Sequence, residues 1–228
     1  MLTKRPCYLD HAAHRYIWEP HDLEMTTSVT GVIHHFDPPY SGPEEAGWRG
    51  THTHRAMEAL ALKQPLPDPI SPEGVDCTDW FNQISGMSFW NQIEVIACEY
   101  SMVSLQKSLG GQLDLLCRYK DRVLLVDLKS KGPSWTSASK DDIREYAAQA
   151  GGYMHLLTNG DGIPSVSELP LIDECRTLVI TPTRVKWLSA MDPDGFCTPA
   201  WEECWNKYEM ADPFYIANSQ KQLTTTTH

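Results

Sequence analysis

The apolar and polar positions of the chain switch repeatedly between strand-like and helical spacing. Strand patterns cover residues 93–103, 112–118, 122–128, 177–181 and 184–188. Apolar residues recur at helical spacing in residues 44–62, 78–90, 141–157 and 200–210. Strands and helices that follow one another in this way predict an α/β fold.

The first 36 residues predict a small β-hairpin. Residues 14–18 and 26–32 are rich in β-forming side chains and flank the turn-like residues 19–22. A break rich in Pro and Gly follows at residues 37–43. In a chain of 228 residues we expect one domain, with a hairpin extension over 1–36, a core over 44–190, and a C-terminal helix with a frayed polar tail over 191–228.

The strands on either side of Lys120-Asp121 predict a second hairpin with a two-residue loop. In that register Asp114 lies directly opposite Asp127, where two like charges repel each other. The other face is expected to lie in the core and to fix the register through Leu113, Leu115, Leu124, Val126 and Leu128. The sequence therefore predicts two carboxylates on one polar face of a rigid hairpin.

Lys129 adds a positive charge to the same face. Because side chains alternate along a strand, Lys129 shares the face of Asp127 and has Gln112 as its cross-strand neighbour. Two close carboxylates suit a hard divalent cation such as Mg²⁺ or Mn²⁺, which would offset their repulsion. The alternative is that Asp114 and Asp127 lie at opposite ends of solvated strands and that Lys129 forms a surface ion pair.

The composition narrows the classes of partner and compartment. A net charge of −11 excludes the broad basic surface of a histone-like protein, so any contact with a polyanion must be local or use a cation. We expect no membrane span and no secretory signal, because no apolar run is long enough for either. Seven cysteines without a CxxC pair predict neither a disulfide framework nor a zinc ribbon, and favour a reducing cytoplasm.

Four motifs carry a resemblance to a known family. They are Gly50-Thr51-His52-Thr53-His54, Gly111-Gln112-Leu113-Asp114, Asp127-Leu128-Lys129 and Gln149-Ala150-Gly151-Gly152-Tyr153. Their order resembles the PD-(D/E)XK nuclease superfamily, and the first and last motifs resemble its RecB-like exonuclease branch. Each motif is weak alone, whereas the set in this order is specific. The resemblance implies a restriction-endonuclease-like core in which helices flank a mixed central β-sheet.

The resemblance also implies hydrolysis of phosphodiester bonds with Mg²⁺ or Mn²⁺ as cofactor. It assigns metal binding to Asp114 and Asp127, with His54 as a further ligand. Glu99 falls on the strand before Asp114, where many members carry Glu, and is a fourth candidate ligand. His54 could equally be an exposed residue that pairs with Glu58 one helical turn later. Glu99 could equally lie on a solvated strand face.

The remaining implied site residues are Lys129, Gln149 and Tyr153. Lys129 matches the catalytic lysine of the family, and Gln149 and Tyr153 match a helix motif that lines the site. Their separation of four residues independently puts Gln149 and Tyr153 on one helix face. The alternative is a solvated Gln149 beside a core Tyr153. Gly151 and Gly152 each cost about 1 kcal/mol in a helix, and we expect close packing on the sheet to explain them.

We expect DNA to be the substrate and cations around the site to extend its reach. The candidates for this contact are Arg118, Lys131, Lys140 and Arg144. Trp135 could stack on an unpaired base or be a partly buried loop residue. An iron–sulfur cluster is not expected, because Cys197 and Cys204 have no third cysteine nearby.

The strings His14-Arg15-Tyr16 and Ser28-Val29-Thr30 are similar to those of small phage-encoded exonucleases. The sequence therefore favours a metal-dependent exonuclease that acts on DNA ends in phage recombination, replication or repair, in the bacterial cytoplasm. The alternatives are a structure-specific endonuclease on the same fold and a non-catalytic nucleic-acid-binding protein. Self-association and a recombination partner protein stay open.

Overall fold

The computed structural model describes residues 1–10, 13–36, 43–162 and 169–211. The chain is an α/β protein in which helices flank a mixed central sheet, with a separate antiparallel sheet at the N-terminus. The N-terminal sheet contains β1 (Cys7–Asp10), β2 (Arg15–Trp18) and β3 (Leu23–Glu24), in that order. The predicted break at 37–43 and the predicted frayed tail lie outside the described residues, except for Pro43.

The prediction of a second N-terminal strand over residues 26–32 is wrong. Only β4 (Thr27–Ser28) is extended, and it joins the central sheet, while α1 (Val29–Ile33) is a short helix. The Ser28 hydroxyl accepts the backbone N–H of Gly31 and caps this helix. The cap outweighs the strand preference of the β-branched residues that follow, and β2 pairs with β1 instead.

Among the described residues, the central sheet contains five strands besides β4. They are β5 (Ile93–Ser104), β6 (Leu109–Tyr119), β7 (Arg122–Ser130), β8 (Glu174–Ile180) and β9 (Val185–Trp187). Strands β5, β6 and β7 form an antiparallel meander, β8 is parallel to β7, and β9 is antiparallel to β8. Strand β4 runs parallel to the start of β6. The sheet is therefore mixed.

Helices cover both faces of this sheet. The long helices are α2 (Glu44–Ala61), α3 (Thr78–Ser85), α4 (Lys140–Asn159) and α5 (Thr198–Ala211). Helices α2 and α3 pack on one face, and α4, α5 and α1 pack on the other. The predicted helix over 78–90 ends early, because Gly86 caps α3 and a separate 3₁₀ turn, Ser88–Asn91, follows. None of the described helices has the length and apolar character needed to cross a membrane.

The side chains of strand β6 switch between the two faces of the sheet out of their regular alternation partway along the strand. Leu113 and Leu116 belong to the core layer under α4, whereas Leu115 and Cys117 belong to the layer under α2. In a regular strand Leu113 and Leu115 would share a face, so the alternation changes phase at Asp114. The predicted grouping of Leu113 with Leu115 is therefore wrong, because it assumes regular alternation through that position.

The two helix glycines do not pack on the sheet as predicted. A Cβ on Gly151 would lie 2.2 Å from the backbone oxygen of Cys197, next to the start of α5. A Cβ on Gly152 would lie 2.6 Å from a side-chain carbon of Val29 in α1. The glycines therefore let α4 approach α5 and α1, which lie in its own layer. The close approach to the sheet is made by Gly111, where a Cβ would lie 2.8 Å from Leu156.

Candidate active site

The site lies where the central sheet splits. One edge of β6 pairs with β5 along almost its whole length. The other edge pairs with β4 at Leu109 and Gly110 and with β7 only from Leu115 onward. Among the described residues, positions 111–114 of β6 therefore have no strand partner on that edge. This gap opens the sheet between β4 and β7.

Asp114 stands at the edge of the gap. The predicted register of β6 and β7 is confirmed from Tyr119 opposite Arg122 to Leu115 opposite Val126. Asp114 and Asp127, the next pair in this register, are not a ladder pair. Instead Oδ2 of Asp114 accepts the backbone N–H of Leu128 at 2.6 Å. The side chain thus takes the place of the missing main-chain partner, and Oδ1 stays available to the cleft.

Glu99 on β5 is the carboxylate that faces Asp114. The flanking pairs, Cys98 with Leu115 and Tyr100 with Leu113, place Glu99 and Asp114 opposite each other in the register of β5 and β6. The backbone of Glu99 has a φ of 44°, in the left-handed region that non-glycine residues seldom adopt. Such strain costs on the order of 1–3 kcal/mol and is concentrated at functional sites.

His54 bridges these two acids from helix α2. Its Nδ1 lies 3.4 Å from Oε1 of Glu99 and 3.5 Å from Oδ1 of Asp114. Burial alone disfavours the imidazolium, but the charge of Asp114 and the hydrogen bond with Glu99 outweigh it and raise the pKa of His54 to about 9. Among the described residues His54 forms no ion pair with Glu58, the partner in the alternative interpretation.

The neighbouring His52 has a structural role. Its Nε2 lies 2.5 Å from the backbone oxygen of Asp68, and its ring stacks on Phe81 with centroids 5.1 Å apart. His52 is buried and points into the α2–α3 layer. The two histidines of the first motif therefore point to different environments, and only His54 reaches the cleft.

Asp127 and Lys129 form a close pair on β7. Nζ of Lys129 lies 3.2 Å from Oδ1 and 3.0 Å from Oδ2 of Asp127, and its hydrogen bond goes to Oδ1. Oδ2 is buried and accepts no hydrogen bond from the described residues. Burial raises the pKa of Asp127 to about 6, opposed by Lys129 and assisted by Asp114. The solvated-strand alternative does not fit, because Asp127 is only 3% exposed.

Helix α4 contributes two side chains that continue the hydrogen bonds of the site beyond Lys129. Lys129 donates to Oε1 of Gln149 at 2.8 Å, and the Gln149 amide donates to the hydroxyl of Tyr153 at 2.8 Å. Both residues of the helix motif are buried and line the cleft, so Gln149 is not solvated. A capping box at Ser139 and Asp142 begins α4 and fixes where its faces point.

Three of these side chains could hold a cation. One ligand atom each from His54, Glu99 and Asp114 lies within 4.8 Å of the others. Asp127 is outside this group. Its Oδ2 is buried and accepts no hydrogen bond from the described residues. Carboxylate oxygens suit Mg²⁺ and Mn²⁺, and an imidazole extends the range to other transition metals. The donor set therefore fits a divalent cation without selecting one.

The cleft around this cluster has a volume of about 1030 Å³. The N-terminal sheet forms its opposite wall, with Tyr8, His14 and Tyr16 among the lining residues. Tyr16 packs directly on Gly110, where a Cβ would lie 2.3 Å from the tyrosine ring. Thr30, in the other phage-like string, also lines the cleft. Both strings thus belong to the wall of the cleft.

The cations that line the cleft differ from those predicted. Lys4 and Arg55 line it, and neither forms an ion pair or side-chain hydrogen bond with the described residues. The four predicted cations, Arg118, Lys131, Lys140 and Arg144, are not among the lining residues. Sequence spacing missed Lys4 and Arg55 because the first depends on the packing of the N-terminal sheet and the second on the rotation of α2.

Two of the predicted cations have acidic partners elsewhere. Arg118 lies 3.7 Å from Glu94 on the neighbouring strand. Arg144 binds Glu203 on α5. These charges are therefore used in surface ion pairs away from the cleft.

Trp135 is a partly buried loop residue held between two cations. Arg184 and Lys186 each lie 5.7 Å from the centroid of its ring. Arg184 also donates to the backbone oxygens of Trp135 and Thr136. The ring lies outside the lining of the cleft, and this environment favours the structural interpretation of Trp135 over base stacking at the site.

The solved structures that resemble this chain include a distant one. No protein-family model matches the sequence, and no curated protein matches it. The crystal structure of SSO0001 is similar to this chain with a TM-score of 0.37 and 13% sequence identity, over 84% of this chain and 79% of that one. We infer neither a family nor a function from a likeness at this level.

Proposed function

We propose that this chain is a divalent-metal-dependent deoxyribonuclease of PD-(D/E)XK type that acts on DNA ends as an exonuclease. The observation that carries the proposal is the convergence of Asp114, Asp127 and Lys129 in one cleft with His54 and Glu99. Acidic residues, an imidazole and a partly buried ammonium group together suit the hydrolysis of a phosphodiester bond.

The topology supports the same proposal. The meander β5–β6–β7 carries the acids and the lysine, α4 follows with Gln149 and Tyr153, and β8 returns parallel to β7. Helix α2 precedes the meander and supplies His54. A mixed central sheet with flanking helices is the architecture that the motif resemblance implies, and this agreement supports the proposal.

His54, Glu99 and Asp114 are the residues that would hold the cation, with Asp127 beside them. When bound, the cation supplies positive charge to the phosphodiester and makes water more acidic. The two opposed carboxylates of Glu99 and Asp114 repel each other without a positive charge between them. In its absence the imidazolium of His54 supplies that charge, so His54 would have to lose its proton on metal binding.

Lys129 supplies the second positive charge. Burial opposes its charge, but Asp127 and Asp114 outweigh burial and raise the pKa of Lys129. The ammonium group is held between Asp127 and Gln149, and Tyr153 in turn fixes the Gln149 amide. A cation preorganised in this way stabilises negative charge that develops on the phosphate in the transition state.

The preference for DNA ends rests on the motif resemblance, and the walls of the cleft add contacts for DNA. The N-terminal sheet covers the side of the cleft that faces the cluster. Lys4 and Arg55 lie on the lining with no partner among the described residues and can contact phosphates next to the scissile one. Local positive charge of this kind is what an acidic protein needs to bind DNA.

A time course on end-labelled linear DNA tests the proposal. We expect cleavage with Mg²⁺ or Mn²⁺, no cleavage with EDTA, and little attack on covalently closed circular DNA. Asp127→Asn should abolish cleavage, while Asp121→Asn, in the exposed turn between β6 and β7, should leave it intact. Absence of cleavage with both Mg²⁺ and Mn²⁺ contradicts the proposal. Full activity in Asp127→Asn contradicts it as well. Equal cleavage of circular DNA favours an endonuclease.

A further inference from the structure

Gln112 is the one polar cleft residue on β6 to which the proposed function gives no role. It lines the cleft, is half-buried, and lies two residues before Asp114 on the same strand. It is not paired with Lys129, its predicted neighbour, because the pairing of β6 with β7 ends at Leu115. Its contacts lie instead on β5, with Ser101 and Glu99.

These contacts form a directed chain of hydrogen bonds. Ser101 is the register partner of Gln112, and its hydroxyl donates to Oε1 of Gln112 at 2.8 Å. Nε2 of Gln112 donates to Oε2 of Glu99 at 2.5 Å. A carboxylate only accepts hydrogen bonds, so the amide must turn its NH₂ group to Glu99 and its oxygen to Ser101. The carboxylate therefore sets the orientation of the amide, and the serine hydroxyl, which can donate or accept, donates to the amide oxygen and holds it in that orientation.

The chain ends at the candidate cation position. With Oε2 of Glu99 engaged by Gln112, the other oxygen, Oε1, faces Nδ1 of His54 at 3.4 Å. Glu99 needs this support, because its backbone has a φ of 44° in an otherwise extended strand. A strained backbone position persists only where surrounding contacts determine it.

We propose that Gln112 is a positioning residue that, together with Ser101, aims Glu99 at the cation held with His54 and Asp114. The inference rests on the proposed function for the role of Glu99 as a ligand. Residues that hydrogen-bond to metal ligands typically change metal affinity or activity about 10–100-fold when they are replaced. Gln112 acts through Glu99, so its effect must depend on Glu99.

Binding of Mn²⁺ alone to the metal-free full chain tests this, because no DNA is needed. Gln112→Met keeps the length of the side chain and removes the donor. We expect it to weaken Mn²⁺ binding at least about tenfold in titration calorimetry. Ser101→Ala should weaken binding in the same direction by less. Gln92→Met, at an exposed glutamine outside the cleft, is the matched control and should bind Mn²⁺ like the parent.

A double-mutant cycle separates positioning from a general structural effect. In a Glu99→Gln background, Gln112→Met should change Mn²⁺ affinity by no more than about twofold, because the residue it positions is gone. Thermal unfolding of the metal-free proteins should give Gln112→Met a midpoint close to that of Gln92→Met. If Gln112→Met does not fold, the Ser101→Ala variant decides by the same cycle with Glu99→Gln.

Three outcomes overturn the inference: a parent chain that binds no Mn²⁺, a Gln112→Met variant with parental affinity, and an equal loss with and without Glu99. The proposed function and the inference can be contradicted by different results. If Mn²⁺ binds in a manner that depends on Glu99 and Gln112 but DNA is not cleaved, the inference stands and the nuclease proposal falls. If DNA is cleaved and Gln112→Met binds Mn²⁺ like the parent, only the inference falls.

Discussion

The two ends of β6 belong to one strand but differ in strand pairing and in polarity. At the end that joins the hairpin turn, Leu115, Leu116 and Cys117 are fully buried and have strand partners on both edges. At the cleft end, Gln112 and Asp114 are polar, and positions 111–114 have no strand partner among the described residues on the edge that β4 and β7 share. The paired end supplies rigidity, and the split end supplies a gap in which carboxylates can point into a cleft. A sheet can thus carry a polar site without losing its core.

The largest expected effect belongs to the cleft end. Lys129→Met keeps the side-chain stem but removes the ammonium group that Asp127 and Gln149 hold. We expect the single-turnover rate constant to fall about 1000-fold, or about 4 kcal/mol in the activation free energy. Single-turnover cleavage of end-labelled DNA measures it. Lys120→Met, in the exposed turn at the other end of the hairpin, is the control, and an equal loss there would erase the distinction between the two ends.

The paired end should respond in stability. Leu116→Ala opens a cavity in a fully buried position between β5, β7 and α4. We expect the free energy of unfolding to fall by about 3 kcal/mol. Urea unfolding followed by circular dichroism measures the loss. Leu171→Ala, at a leucine that is 82% exposed, should change stability by less than about 0.5 kcal/mol. Equal effects at both leucines would show that the β6 core is not tightly packed.

Helix α4 shows the same contrast between a cleft face and a packed face. Gly151→Ala would bring a Cβ against the backbone of Cys197, which cannot move as a side chain does. We expect a net loss of about 1–2 kcal/mol in unfolding free energy despite the better helix propensity of Ala. Gly47→Ala in α2 is the matched control, because a Cβ there would meet no atom within 4 Å. That variant should be stabilised by up to about 1 kcal/mol, and stabilisation of both would contradict the close approach of α4 to α5.

The smallest effect concerns the lining of the cleft. Arg55→Ala removes a cation that has no partner among the described residues but does not touch the cluster of acids. We expect the slope of log K against log salt for DNA binding to drop by about 1, with kcat unchanged. Binding of labelled DNA in Ca²⁺ at several salt concentrations measures the slope. Arg144→Ala, which breaks an ion pair with Glu203, should leave it unchanged.

Much of the site could be predicted because its parts are local. The two-residue loop set the register of β6 and β7, and helical spacing put Gln149 and Tyr153 on one face of α4. The pairing of Glu99 with Asp114 could not be predicted. It depends on a register of β5 and β6 that includes a bulge between Val95 and Ala97 and a left-handed backbone at Glu99. Neither irregularity is marked in the sequence by a Gly or a Pro.

The N-terminal region shows where sequence patterns mislead. Residues 26–32 contain β-branched side chains that favour a strand, yet Ser28 caps a helix that begins at Val29. The positions of Lys4, Tyr16 and Arg55 on the cleft lining depend on how the N-terminal sheet and α2 pack against β6. Such packing joins residues far apart in the chain, and spacing rules act only over a few residues.

The sequence by itself determined the α/β class, most of the helices and strands, and the register of the hairpin formed by β6 and β7. These follow from periodicity and turn chemistry, which are local properties of the chain, whereas the set of candidate site residues came from the motif resemblance. Only the tertiary structure decided that Glu99, not Asp127, faces Asp114 across the strands, and that Gln112 bonds to Glu99. The reason is that β6 has only two edges. Strand β5 takes one, β4 and β7 divide the other, and the gap left between them sets where each carboxylate points.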